Sequence, residues 1–145
     1  MFNRILIPMD FSRSAAAALQ LVRQRFPEAD CLLLHVLDPR QLAGSLTSTV
    51  SAGEQKAELE LRVREWLSDF AEPGDEIVIR TGSAADVIIS EAERWNAELI
   101  VMGTHGRTGI DHFLNGSVAE RVVRHSRLPV LIEHERGPQS ETEAG

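Results

Sequence analysis

LIVMGTHGRTGIDHFLNGSVAERVVRHSRLPVLI, residues 99 to 132, decides how this chain is read. Leu99-Ile100-Val101 is a short continuous apolar run of the kind that forms a strand buried on both faces. Glycines follow at Gly103, Gly106 and Gly116, with a hydroxyl directly after the last in Ser117, so the spacing is G-x2-G-x9-G-S. Gly116, Ser117 and Val118 open a helix that runs to about His125, and Pro129 then introduces a second apolar run, Val130-Leu131-Ile132. A strand that feeds a glycine-rich loop and a helix N-terminus is a phosphate cradle in outline. Bare N–H groups and the helix dipole favour an anion there, and glycine permits close approach and positive φ angles. At average residue frequencies, a chain of this size matches that spacing less than about 1% of the time.

Outward from this stretch, strand and helix signals alternate. Ile5-Leu6-Ile7 reads as a first strand ending at Pro8, and Ser12 caps a helix through Phe26 that carries Ala15, Ala18, Leu19 and Val22 on one side. Cys31 to Leu37 is a second strand closed by Asp38-Pro39. Residues 39 to 53 are small and polar and read as a mobile loop. Glu54 to Phe70 carries Leu59, Val63, Trp66, Leu67 and Phe70 at helical spacing, with Glu58–Arg62 and Glu60–Arg64 as i,i+4 pairs. Ile77-Val78-Ile79 is a third strand, and Ser83 with Asp86 three residues on suggests a capping box for a helix bearing Val87, Ile88, Ala92 and Trp95. Five strands alternating with four helices predict an α/β fold: a single-domain open parallel sheet with helices on both faces, Rossmann-like, joined by right-handed crossovers. The domain is expected over residues 1–135, with 136–145 an acidic disordered tail. In such sheets ligands bind beyond the carboxyl ends of the strands, at the switch point, where Asp10, Val36 to Asp38 and the glycine loop converge.

Composition narrows the partners. The 145 residues carry a net charge of −7, which argues against nucleic acid or an anionic membrane surface. No run approaches the ~18 apolar residues of a membrane helix, and the N-terminal apolar stretch is too short for a signal peptide, so the cytoplasm is the expected location. Cys31 is the only cysteine, which leaves no disulfide framework, and it reads as a small buried hydrophobe. There are 14 arginines but a single lysine, Lys56, far from the glycine loop. The loop is therefore no Walker A motif, and its spacing is not the dinucleotide G-x-G-x-x-G either.

The opening RILIPMDFS, the strand LLLHV, the segment GSAADVIISEAE and above all VMGTHGRTGIDHFLNGSVAERVVRHSRLPVLI resemble the universal stress protein family over residues 3 to 134. The glycine pattern is that of its nucleotide-binding branch. The resemblance implies strand order 3-2-1-4-5 and an ATP site at the switch point. It implies that Asp10 accepts hydrogen bonds from the ribose, that Val36 offers its backbone to the adenine edge, and that Pro8 and Met9 line the base. Gly103 and Gly106 would let the backbone approach the phosphates, and Gly116, Ser117 and Val118 at the helix start would bind them. Phe11 stands where many members have glycine, and Met9 where a smaller or β-branched residue is common.

Several residues admit two readings. Asp10 either caps the first helix or meets the ribose. His105 and Arg107 either neutralise phosphate charge in place of a lysine or point to solvent. His35 reads as a hydrogen-bonded core histidine, and Arg121, Arg124, His125 and Arg127 as complements to a helix C-terminus. No zinc set is visible, although Mg2+ can arrive with ATP, whose phosphates supply most of its ligands. The expected function is an ATP-binding regulatory protein of stress responses, whose nucleotide occupancy controls conformation or the binding of a partner protein. The alternatives are a slow ATPase or phosphotransferase, for which Asp111 and His112 are the only loop candidates, and a nucleotide-free dimeric adaptor. A homodimer is expected through the apolar edge strand Val130-Leu131-Ile132.

Overall fold

The computed structural model describes residues 1–39, 52–104 and 116–134. Its elements run β1 (Arg4–Pro8), α1 (Arg13–Arg25), β2 (Asp30–Leu37), α2 (Ala52–Phe70), β3 (Glu76–Thr81), α3 (Ala84–Arg94), β4 (Leu99–Thr104), α4 (Gly116–His125) and β5 (Val130–His134). The five strands form one parallel sheet in the order β3-β2-β1-β4-β5, as the family resemblance implied. The loop expected at 39 to 53 lies almost wholly outside the described residues. So do the tail, Gly106, Arg107 and His105, and Asp111 and His112.

The apolar runs become the central strands. β1, β2 and β4 are buried along nearly their whole length, because helices cover both faces of the sheet. β3 and β5 are the edges and are mostly half-exposed. α1 packs on β1, β4 and β5 and α2 on β3, whereas α3 crosses behind β2 and pairs with α4. This is the arrangement right-handed crossovers dictate when the chain first moves one way along the sheet and then reverses.

α1 starts where expected: Ser12 is its N-cap and its hydroxyl accepts the Ala15 N–H at 3.1 Å. The capping box at Ser83 does not form. The Ser83 side chain makes no cap hydrogen bond, and only its carbonyl engages, taking the Val87 N–H at 2.9 Å. Asp86 instead turns sideways toward Arg121 of α4, 3.5 Å away. Arg124 and His125 stand in the last turn of α4 as expected, with Arg121 a turn earlier, and Arg124 is also paired with Glu120 at 2.5 Å. On α2 the Glu58–Arg62 pair forms at 2.8 Å, while Glu60 reaches back to Lys56 at 4.0 Å rather than forward to Arg64. α3 is closed just past its Trp95 C-cap by Asn96, with φ of 60°, where Ala97 and Asn96 donate back to the carbonyls of Ala92 and Glu93 at 2.9 and 3.2 Å.

Gly103 answers a demand of packing. A Cβ on it would lie 2.3 Å from both the carbonyl carbon and oxygen of Ser14 and 2.7 Å from the Ala15 nitrogen. Its φ is not among the positive values, which fall at Gly74, Gly82 and Asn96 in the described residues. The expectation that the cradle glycines supply positive φ is therefore corrected at this position: Gly103 is needed for space. The side chain would strike backbone that cannot swing aside. Gly103→Ala should therefore cost about 3 kcal/mol of stability, at the upper end of overpacking effects, read as a lower urea midpoint with an unchanged slope.

Candidate functional site

The register of the sheet builds a notch. Pro8 at the end of β1 pairs with Leu34, yet β2 runs on to Leu37. Leu6 pairs with Ile100, so β4 also outlasts β1, ending at Thr104. The central strand is thus the short one, by roughly 10 Å on the β2 side at 3.3 Å per residue. After Pro8 the chain makes one more bond to β2, from Met9 N–H to the Leu34 carbonyl at 2.7 Å, and then turns into α1. Asp10 sits at this turn and is 2% exposed. Carried forward, the register sets it level with Val36 on one side and Thr104, next to Gly103, on the other. This is the switch point of the sheet, between β1 and β4.

The expected site residues distribute as follows. Pro8, Met9 and Asp10 lie at the end of β1, Val36 at the end of β2, Gly103 at the end of β4, and Gly116, Ser117 and Val118 in the first turn of α4. Val36 is buried, 1% exposed. Pro8 and Met9 are both buried, and Met9 has no exposed surface and belongs to the core cluster. Gly106 and Arg107 lie outside the described residues.

The polar groups on the notch floor are tied together. Asp10 Oδ1 accepts the Ser12 N–H at 2.8 Å and also the Ser12 hydroxyl, and the Ser14 hydroxyl stands 3.1 Å from that of Ser12. The two readings of Asp10 meet here. It does not cap α1 itself, since Ser12 does, but it secures the residue that caps.

His35, on β2, was expected to be a bonded core residue and is 5% exposed. Its Nδ1 lies 2.7 Å from the Met9 carbonyl. A carbonyl only accepts, so Nδ1 carries the proton. Burial lowers the pKa of the ring below its ordinary value of 6.5, against smaller raising effects from the Met9 bond and from Asp10. The ring also meets Phe11 and Trp66 edge-on, at centroid distances of 5.5 and 6.3 Å, and Phe11 lies 4.3 Å from Trp66. Sequence reasoning missed this aromatic cluster. Phe11 was noted only as a departure from glycine, and nothing in its spacing links it to α2. Phe11 remains 57% exposed at the rim of the notch.

Cys31 is buried far from the notch, at the start of β2, and burial pushes its thiol up to about 11. Burial thus favours its neutral thiol, in accord with its reading as a small buried hydrophobe. Among the described residues no group of three or more His, Cys, Asp or Glu side chains could hold a metal, and no helix is long and apolar enough to cross a membrane.

Known proteins share this architecture. The sequence profile of the universal stress protein family matches residues 1–134, and the chain belongs to that family. Universal stress protein MJ0577 of Methanocaldococcus jannaschii is 29% identical over 154 residues, covering 91% of this chain and 94% of that protein. Its solved structure superposes with a TM-score of 0.77 over 94% of this chain and 99% of that one, at 28% identity. Two more distant structures share the fold at 20% identity. One is an Arabidopsis thaliana family member with AMP bound, at a TM-score of 0.64, covering 93% of each chain. The other is a universal stress protein in complex with cAMP, at a TM-score of 0.61, covering 92% of this chain and 97% of that one.

The neutral His35 has a consequence for pH. Because the folded ring resists protonation, the unfolded chain takes up the proton first as pH falls. Stability is therefore full above the unfolded value of 6.5, declines as pH drops below it, and levels once the folded ring protonates too. Urea unfolding from pH 8 to pH 5 should show this decline in the wild type and a flatter profile in His35→Gln. Parallel profiles would show that the ring is not held neutral.

Proposed function

We propose that the notch binds an adenine nucleotide, ATP with or without Mg2+, and that occupancy controls conformation or the binding of a partner protein. The observation that carries this reading is the convergence, at the carboxyl ends of three adjacent strands, of Val36, Asp10 and Gly103, the last opening the G-x2-G-x9-G-S sequence. Family members carrying AMP and cAMP on the same fold support it.

In this reading Asp10 accepts from the ribose and the Val36 backbone meets the adenine edge. Pro8 and Met9 line the base. Gly106, Gly116, Ser117 and Val118 surround the phosphates with N–H groups and a hydroxyl, and Arg107 neutralises their charge. The α4 N-terminus adds favourable dipole. The nucleotide is held rather than consumed, because no Walker lysine is present to stabilise a transferring phosphoryl group. Calorimetry with Mg-ATP should show binding to the wild type and at least about a hundredfold weaker binding to Gly116→Val, the loss expected when a phosphate-facing N–H cluster is blocked. Equal affinities would refute the site. Phosphate release at several per second, dependent on Ser117, would favour an enzyme instead.

The assembly proposed is a homodimer across β5. Val130, Leu131 and Ile132 are half-buried in the single chain and form an apolar sheet edge. Such an edge invites pairing with a twin, and closed two-fold symmetry satisfies both copies. Light scattering of the wild type should give twice the chain mass at micromolar concentration, and a monomer mass would overturn the dimer.

A further inference from the structure

Among the described residues the large apolar side chains left more than half exposed are Met1, Leu61 on α2, Val123 on α4 and Phe11. Of these, Phe11 alone stands at the notch, directly after Asp10. It is open to water and yet held in place. Its ring lies 4.3 Å from that of Trp66, tilted by 40°, and meets the His35 ring at 5.5 Å and 63°. Trp66 is braced in turn by Phe70, edge-on at 5.2 Å, and packs against the core. The His35 ring is oriented by its bond to the Met9 carbonyl. Both neighbours of Phe11 belong to one side of the notch. His35 precedes Val36 in β2, and α2 is the helix that leaves that strand. Phe11 is therefore seated on the β2 side, across β1 from Gly103 and β4. In the proposed nucleotide site that is the side of the base, whereas the phosphates lie toward β4 and the start of α4.

We infer that Phe11 is the stacking platform for the base of the bound nucleotide: its ring, fixed at the rim by Trp66 and His35, covers one face of the adenine whose edge meets the Val36 backbone. This rests on the proposed adenine-nucleotide site and adds to it the residue that recognises the flat face of the base. A nucleobase stacks on an aromatic side chain through its π-face, without any hydrogen bond. Little freedom is lost when it does so here, because neighbouring rings already orient Phe11. Stacking also removes from water the apolar surface that the chain by itself leaves open at the rim.

Calorimetry with Mg-ATP on the wild type, Phe11→Ala, Phe11→Leu and Phe11→Trp separates stacking from mere support of the turn, with urea midpoints checking that each variant is folded. Phe11→Ala should bind ATP about tenfold more weakly, the scale of one base stacked on one ring. Phe11→Leu keeps apolar bulk against Trp66 but has no π-face, and it should bind nearly as weakly. Phe11→Trp should bind at least as tightly as the wild type. These two variants carry the test if Phe11→Ala does not fold. Fluorescence gives a direct readout, because the wild type contains only Trp66 and Trp95. ATP should quench the emission of the indole added in Phe11→Trp, whereas inorganic tripolyphosphate, which has no base, should leave it unchanged. Equal affinities across the series, absence of quenching by ATP, or a Phe11→Leu variant that binds as tightly as the wild type would overturn the inference while leaving the nucleotide site standing. A wild type that does not bind Mg-ATP would overturn the site itself.

Discussion

The contact between Gly103 at the end of β4 and the first turn of α1 is the constraint on which the site depends. No side chain fits between the two backbones. The approach is close because α1 meets the sheet through small residues, Ser14, Ala15 and Ala18, all buried. It brings the end of one strand against the start of the helix that leaves its neighbour, and those two chain segments bound the switch point. Larger residues on either side would move α1 off the sheet and open the notch.

The shortness of β1 is the second determinant. Because it stops at Pro8 while β2 and β4 continue, backbone and side-chain polar groups are left at the floor of the notch without sheet partners. Two of them are met by specific neighbours: the Met9 carbonyl by the His35 ring, and the Asp10 carboxylate by Ser12. Buried groups left unmatched would cost about 1–3 kcal/mol each. The same bonds that stabilise the turn also hold its carboxylate still. The aromatic cluster of Phe11, His35 and Trp66 extends this order from the turn to α2, on one side of the notch.

The opposite pole of the sheet uses its charges differently. Arg4 lies 4.0 Å over the Trp95 ring and donates twice to the Trp95 carbonyl, while Glu98 accepts the N–H groups of Asn3 and Arg4. Arg23 grips the buried Asp75 through both guanidinium nitrogens, at 3.2 and 2.6 Å, and also bonds the Phe70 carbonyl at 2.9 Å. Burial of Asp75 takes this pair out of the class of surface salt bridges that contribute little. A planar fork makes such multiple bonds where a lysine cannot, which gives the arginine-rich composition a structural use. These charged contacts close that pole of the sheet.

Much of this was legible from residues alone. Continuous apolar runs, breaks at Pro8, Pro27 and Pro129, and helical spacing of Val63 and Leu67 mark the elements, because burial on two faces and the 3.6-residue period are local properties of sequence. The glycine spacing and Asp10 located the switch point for the same reason. What stayed hidden depends on neighbours distant in the chain. Asp86 reads as a capping acid until Arg121 draws it away. Nothing in the sequence near Gly103 shows that the backbone of Ser14 lies against it. The sequence by itself determined the element order, the α/β class and which residues stand at the ends of the strands. Only the tertiary structure decided which hydroxyl holds Asp10, which carbonyl orients His35 and where Phe11 rests, because those contacts are set by strand register and helix approach, and neither is written in any local pattern.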